Sequence, residues 1–74
     1  MSPDKLVRMA NQIATFFGSQ DAATAPAMVA DHLRKFWDPR MRKTFIAHAA
    51  AGGAGLDPIT AAAVPLLTGG DAKA

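Results

Sequence analysis

The sequence has 74 residues, a formal net charge of +2 and no cysteine. That length allows one domain at most, and the lack of cysteine excludes disulfides and thiolate metal sites. No apolar run approaches the ~20 residues that a bilayer-spanning helix needs, and charged residues interrupt the N-terminal apolar segment, which argues against a signal peptide. The modest charge is weak support for nucleic-acid binding. The composition therefore predicts a soluble, cytoplasmic protein.

The first predicted helix covers about residues 3–17. Ser2 can cap it, Pro3 suits the first helical position because its missing N–H costs nothing there, and Gly18 suits the position after the last turn. Apolar residues at helical spacing predict one core-facing side, made of Leu6, Met9, Ile13, Phe16 and Phe17. Residues 19–26 have turn character and are expected to form a loop.

Two further helices are predicted on either side of an Asp38-Pro39 break. The second, about 26–37, stops there because a residue before proline is pushed out of the helical region. Asp38 then caps the third helix, about 39–51. The core-facing residues expected on helix two are Val29, Leu33, Phe36 and Trp37, and those on helix three are Met41, Phe45, His48 and Ala49, with Ile46 beside them.

The C-terminal third begins with a glycine-rich turn at 52–55. A short fourth helix is expected over about 58–64, with Ile59, Ala62 and Ala63 inward and with Pro65 ending or kinking it. Small polar residues predict a mobile tail over 68–74. The predicted fold is all-α, a single domain over 1–67 that packs three helices and a short fourth.

Residues 31–43 are the part of the chain densest in charged and aromatic residues, with the single Trp and five of the eight Lys and Arg residues. Three of these cations, Arg40, Arg42 and Lys43, lie in the first turn of helix three, where the helix dipole is positive and cations are unfavourable. Such a local conflict indicates that these three charges interact with a partner outside the helix. The alternative is that the three charges are solvated and merely tolerated.

The sequence pattern does not favour a catalytic or ligand-binding site. His32 and His48, with Asp31 or Asp38, lack the short spacing of a metal site. Neither serine lies in a nucleophile motif. The glycine-rich turn lacks the residues that a phosphate loop or a dinucleotide fold requires. The sequence therefore predicts no catalytic, cofactor-binding or metal-binding residue in this chain.

The basic and aromatic residues between Arg34 and Lys43 allow two functions. Exposed aromatic rings with interleaved cations bind RNA by stacking and phosphate contact. However, Phe36 and Trp37 share the predicted core-facing side of helix two, and Trp and Arg are enriched at protein–protein hot spots. A protein-binding surface is therefore favoured, with a small independent RNA-binding module as the alternative.

Three blocks of the sequence resemble a known family. They cover residues 5–17, 31–42 and 52–58, and the middle block reads Asp-His-Leu-Arg-Lys-Phe-Trp-Asp-Pro-Arg-Met-Arg. The chain resembles the small delta subunit of the soluble, NAD-dependent, molybdenum- or tungsten-containing formate dehydrogenases of bacteria. The resemblance covers nearly half of the chain, and its middle block is the most specific part.

The resemblance implies a non-catalytic accessory subunit of a cytoplasmic complex that oxidises formate to carbon dioxide. In that family the large alpha subunit holds the metal–pterin centre, the beta and gamma subunits carry the NAD site, and the delta subunit holds no cofactor. The implied partner is the alpha subunit, with no nucleic acid and no membrane. The middle block then marks an expected docking corner, made of His32, Arg34, Phe36, Trp37, Asp38, Arg40 and Arg42.

Overall fold

Four helices make up most of the chain. The structure is a computed structural model, in which the backbone is described for residues 2–73 and the side chains for residues 2–68. The helices are, in chain order, α1 Pro3–Gln20, α2 Ala25–Phe36, α3 Pro39–Ala50 and α4 Pro58–Lys73. No strand occurs in this part of the chain, and the predicted all-α fold is confirmed.

The helix starts follow the proline and cap signals of the sequence. Pro3, Pro26 and Pro39 each lie at one of the first two helical positions, and Pro58 begins α4. The cap that Asp38 was predicted to provide is confirmed, because its Oδ1 accepts a 2.8 Å hydrogen bond from the backbone N–H of Met41. Such caps satisfy backbone donors that have no partner within the helix.

Gly18 does not end α1, contrary to the prediction, because the helix continues to Gln20. A Cβ atom at position 18 would approach the Cδ1 atom of Ile59 to 2.6 Å. That distance is well inside van der Waals contact, so the glycine allows a close approach of α1 and the start of α4. The role of Gly18 is therefore packing between α1 and α4, and it does not form a left-handed turn after the helix.

Helix α4 is longer than predicted and passes through Pro65 to Lys73. Proline lacks an N–H group and interrupts helical hydrogen bonding, which is why an end near residue 64 was expected. Ala63 and Leu67, on either side of Pro65, are buried to 1% and 0% exposure. Burial of this face favours continuation of the helix. The domain limits 1–67 and the mobile tail over 68–74 stay predictions, since the side chains of residues 69–74 lie outside the described ones.

The core is built around α2, which packs against α1 and α4, while α3 closes the bundle against α1 and α4. Its largest fully buried apolar side chains are Phe45, Leu6, Leu33, Leu67 and Val29. The predicted core-facing side of α1 is partly wrong: Leu6 is buried, but Phe16 is 58% exposed. Ala10 and Ala14 take the most buried positions because their small side chains let the helices approach closely.

No helix in the described part of the chain combines the length and the apolar character that crossing a bilayer requires.

Candidate docking surface

The predicted docking corner is divided between the core and the surface. Trp37 is 6% exposed, and its ring meets Phe45 edge to face at a centroid distance of 5.6 Å. Asp38, the next residue, caps α3. Both residues therefore fix the geometry of the α2–α3 corner, and the indole ring offers little surface for a partner.

Phe36 points out of the bundle, which corrects the prediction that it faces the core. Its side chain is 71% exposed, the largest value among the exposed large hydrophobic residues. Helix α2 ends at Phe36, and Trp37 already has extended backbone angles. Because of this change of direction, only one of the two adjacent rings enters the core, and that ring is Trp37.

Four aromatic rings form a continuous row across α1 and α2. Phe16 contacts Phe17 at 5.2 Å between ring centroids, Phe17 contacts His32 at 6.1 Å, and His32 contacts Phe36 at 4.7 Å. Edge-to-face and offset contacts of this kind are favourable between aromatic rings. The two ends of the row, Phe16 and Phe36, are exposed, so the row presents an apolar surface to solvent.

An open groove of about 440 Å³ lies beside this row. It is lined by Met9, Gln12, Ile13, Phe16, Phe17 and His32. We call this site, together with Phe36, the aromatic groove. His32 and Phe36 were predicted to lie in the docking corner, and Phe16 and Phe17 were predicted to face the core. Phe17 is half-buried against the core, whereas Phe16 is exposed. The signal for the exposure of Phe16 is the pair Ala10 and Ala14, which occupies core-facing positions of α1.

Arg34 lies on another side of α2 and connects two helices. Its Nη2 atom donates a 3.2 Å hydrogen bond to the backbone carbonyl oxygen of Leu66 in α4. The side chain is exposed. Arg34 therefore has a structural contact of its own and is not part of the aromatic groove.

Arg40 and Arg42 lie in the first turn of α3, which holds no acidic residue, and Lys43 follows as the fifth residue of the helix. We call these three residues the basic turn. Arg40 and Lys43 are exposed, and Arg42 is half-buried. Lys35 forms an ion pair with Asp31 at 3.1 Å, whereas Arg40 and Lys43 form no salt bridge with the described residues. The basic turn and the aromatic groove lie on different elements and form two separate surface features.

His48 stabilises the glycine-rich turn that follows α3. Its Nε2 atom lies 2.9 Å from the carbonyl oxygen of Ala54. Gly52, Gly53 and Gly55 all have positive φ angles, which glycine adopts without strain. His48 and His32 thus have unrelated surroundings, and no group of three metal-binding side chains is found in the described part of the chain.

The comparison with protein families gives a match over most of the chain. The family described as NADH-dependent formate dehydrogenase delta subunit, FdsD, matches residues 5–64, a range that holds nearly all of α1, the whole of α2 and α3, and the start of α4. Searches of curated proteins and of solved structures gave no match. The resemblance inferred from the three sequence blocks is confirmed, and the chain belongs to the delta-subunit family of NADH-dependent formate dehydrogenases.

Proposed function

We propose that this chain is a non-catalytic subunit of a cytoplasmic NAD-dependent formate dehydrogenase, which docks on the large catalytic alpha subunit and stabilises it or helps to assemble it. The observation that carries the proposal is the family match over residues 5–64. The complex would also contain the beta and gamma subunits, and its reaction would be the oxidation of formate to carbon dioxide. The chain itself would contribute binding surface to the complex.

The roles of the acidic and histidine side chains support the non-catalytic part of the proposal. Asp38 and Asp57 accept hydrogen bonds from backbone N–H groups at helix starts. Asp31 pairs with Lys35, and His48 contacts a backbone carbonyl oxygen. General acid–base catalysis needs a titratable group that can reach a substrate proton. These groups are instead engaged in holding the fold.

The exposed aromatic surface supports the docking part of the proposal. Phe16 and Phe36 are 58% and 71% exposed in a chain of 74 residues. Clustered exposed apolar residues mark interaction sites in soluble proteins, and aromatic residues are enriched in interface cores. A small domain also has a small core of its own, so it gains stability from a partner. We infer that the aromatic groove receives part of the catalytic subunit.

The docking corner is retained in this proposal with divided roles. His32 and Phe36 would contact the partner through the aromatic groove, and Arg40 and Arg42 would contribute through the basic turn. Trp37 and Asp38 would act by fixing the corner between α2 and α3. Arg34, which binds the Leu66 carbonyl oxygen, would hold α4 in place beside the docking surface.

RNA binding has little support from the arrangement of the side chains. Stacking on single-stranded RNA requires exposed aromatic faces next to cations. Trp37 is 6% exposed, and the two cations beside the exposed Phe36 are engaged within the chain, Arg34 by the Leu66 carbonyl oxygen and Lys35 by Asp31. The favoured function is therefore that of a subunit.

Co-expression of the alpha, beta and gamma subunits with and without this chain tests the proposal. We expect omission of the chain to lower the amount of assembled complex, while each assembled, cofactor-loaded alpha subunit keeps its rate of formate-dependent NAD reduction. A rate that falls per loaded alpha subunit, with assembly unchanged, would contradict the non-catalytic role. The control is Phe36→Ala, which should reproduce part of the assembly defect with a folded chain.

A further inference from the structure

Cations lie near the positive end of the α3 helix dipole, which is unfavourable. In α2 they lie near the negative end of the dipole, which is favourable. In α2 the cations Arg34 and Lys35 lie in the last turn, where the dipole is negative. In α3, Arg40 and Lys43 lie at the start of the helix, where the dipole is positive, and the first turn holds no acid. This placement is unfavourable for the isolated chain.

Nothing in the described part of the chain compensates Arg40 and Lys43 with a salt bridge. Both side chains are exposed. Residues three apart on a helix lie on the same face, so these two charges point to solvent together. The nearest carboxylate in sequence is that of Asp38, which is engaged by the backbone N–H of Met41. The pair is therefore a positive surface site that forms no salt bridge within the described residues.

The surface beside the pair is suited to a peptide segment. A shallow groove next to Lys43 is lined by Pro39, Arg42, Lys43 and Ile46. Pro39 and Ile46 supply apolar contact, and Lys43 supplies a cation at the edge. A groove of this composition fits a chain segment that carries carboxylates together with a small apolar side chain.

We propose that Arg40 and Lys43 bind a carboxylate-rich segment of the catalytic subunit. This inference rests on the proposed function and adds the chemistry of the contact. Charge complementarity supports this assignment, because Arg40 is an exposed cation in the first turn of a helix and the exposed Lys43 lies beside it, so both gain from carboxylates supplied by a partner. Protein carboxylates fit better than nucleic-acid phosphates, because the chain carries a net charge of only +2 and the Trp37 ring is buried.

The test uses single charge reversals in the full-length chain, co-expressed with the other subunits and purified through a tag on this chain. The variants are Arg40→Glu and Lys43→Glu. The matched control is Arg8→Glu, an exposed cation of α1 with the same change of charge. The catalytic subunit retained per chain is measured as the salt concentration rises, and the thermal midpoint of each free chain is measured separately.

We expect retention of the catalytic subunit to fall about tenfold or more for Arg40→Glu and Lys43→Glu, and to stay unchanged for Arg8→Glu. The thermal midpoint of Arg40→Glu should rise or stay level, since a carboxylate suits the first turn of a helix, and that of Lys43→Glu should stay level, since the residue is exposed and lies just beyond that turn. Loss of binding without loss of folding separates docking from a structural role. A lowered midpoint in both variants would overturn the argument from the dipole.

Failure of the acidic contact can be distinguished from failure of the proposed function. If the wild-type chain retains the catalytic subunit and both variants retain it equally well, the acidic contact is wrong and the proposed function stands. If the wild-type chain retains no catalytic subunit at low salt, both proposals are overturned. The wild-type chain could instead bind a short single-stranded RNA and lose that binding in Lys43→Glu. This result would show that the two cations bind nucleic-acid phosphate, and it would overturn the proposal of a protein carboxylate.

Discussion

The side-chain amide of Asn11 donates a 2.8 Å hydrogen bond to the carbonyl oxygen of Gly55, which lies 44 residues further along the chain. Its Oδ1 atom also accepts a 3.2 Å hydrogen bond from the backbone N–H of Asp57. One side chain on α1 thus holds both ends of the short segment that leads into α4. Because Asp57 caps α4 through Thr60, the position of that helix depends on this amide.

Replacing Asn11 with Ala removes both hydrogen bonds and leaves the turn held by fewer contacts. We expect a loss of about 1–3 kcal/mol in the free energy of unfolding, because two polar groups of the turn lose their partner. Urea denaturation of the isolated chain gives this value. Asn11→Asp should fall between wild type and Asn11→Ala, since the carboxylate still accepts from Asp57 but cannot donate to Gly55.

The control for this prediction is Gln12→Ala, the exposed neighbour on the same helix. Its effect on stability should stay within about 0.5 kcal/mol. Equal stabilities for Asn11→Ala and Gln12→Ala would show that the turn is held by other contacts.

The adjacent aromatic residues Phe36 and Trp37 are predicted to separate binding from folding. Trp37→Ala should destabilise the isolated chain by ~3–5 kcal/mol, because it removes a buried ring packed on Phe45. Phe36→Ala should leave the melting temperature of the isolated chain almost unchanged, since the ring is 71% exposed. Thermal melting and co-purification of the catalytic subunit are measured for both variants.

Phe36→Ala is expected to weaken retention of the catalytic subunit even though the chain is folded. A Phe36→Leu variant keeps apolar contact and should recover part of the binding. Full retention by Phe36→Ala would remove Phe36 from the docking surface. A Trp37→Ala chain that melts like wild type would disprove the core role of the indole ring.

Thr60 is fully buried, and its hydroxyl Oγ1 has no hydrogen-bond partner among the described residues. Thr60→Val replaces this hydroxyl with a methyl group of similar shape. We expect a gain of about 1 kcal/mol in the free energy of unfolding, because an unsatisfied buried polar group is removed. Thr15→Val is the control, since its exposed hydroxyl donates to the Asn11 carbonyl oxygen. Destabilisation by Thr60→Val would mean that its hydroxyl is satisfied in solution.

Gly18 and Ile59 are predicted to be energetically coupled. Alanine is favoured over glycine inside a helix by about 1 kcal/mol, but a Cβ at position 18 would approach the Cδ1 atom of Ile59 to 2.6 Å. Gly18→Ala should therefore be close to neutral in the wild-type chain. In an Ile59→Val background, which lacks that carbon atom, the same change should be stabilising.

Denaturation of the four proteins in this double-mutant cycle measures the coupling. We expect an interaction energy of about 0.5–1 kcal/mol in favour of the double variant. Strict additivity would show that the side chain of Ile59 moves aside at no cost.

Much of the fold follows from local chemistry, and this explains what could be predicted from the sequence. The proline and Asp38 signals mark helix starts because they act on the backbone groups of a single turn. The end of α4 was missed because the local signal of Pro65 opposes the burial of Leu67, which depends on contacts with other helices. Gly18 was misread for the same reason, since its role depends on Ile59.

For the candidate site too, the sequence predicts features that depend on local chemistry and misses those that depend on contacts between helices. Adjacent apolar residues at the end of a helix, such as Phe36 and Trp37, have no periodicity that says which one enters the core. Large residues dominate a pattern analysis, so Ala10 and Ala14 were not recognised as the core-facing positions of α1 that leave Phe16 exposed. The family resemblance depended on neither point, because it came from sequence blocks directly.

Docking of this chain on the catalytic alpha subunit can be measured by native mass spectrometry of complexes purified through a tag on this chain. Subunits would be omitted from co-expression one at a time. We expect the chain and the alpha subunit to stay together when beta or gamma is absent, and omission of alpha to leave the chain alone. Retention of beta or gamma in the absence of alpha, or a free chain when all subunits are present, would contradict it.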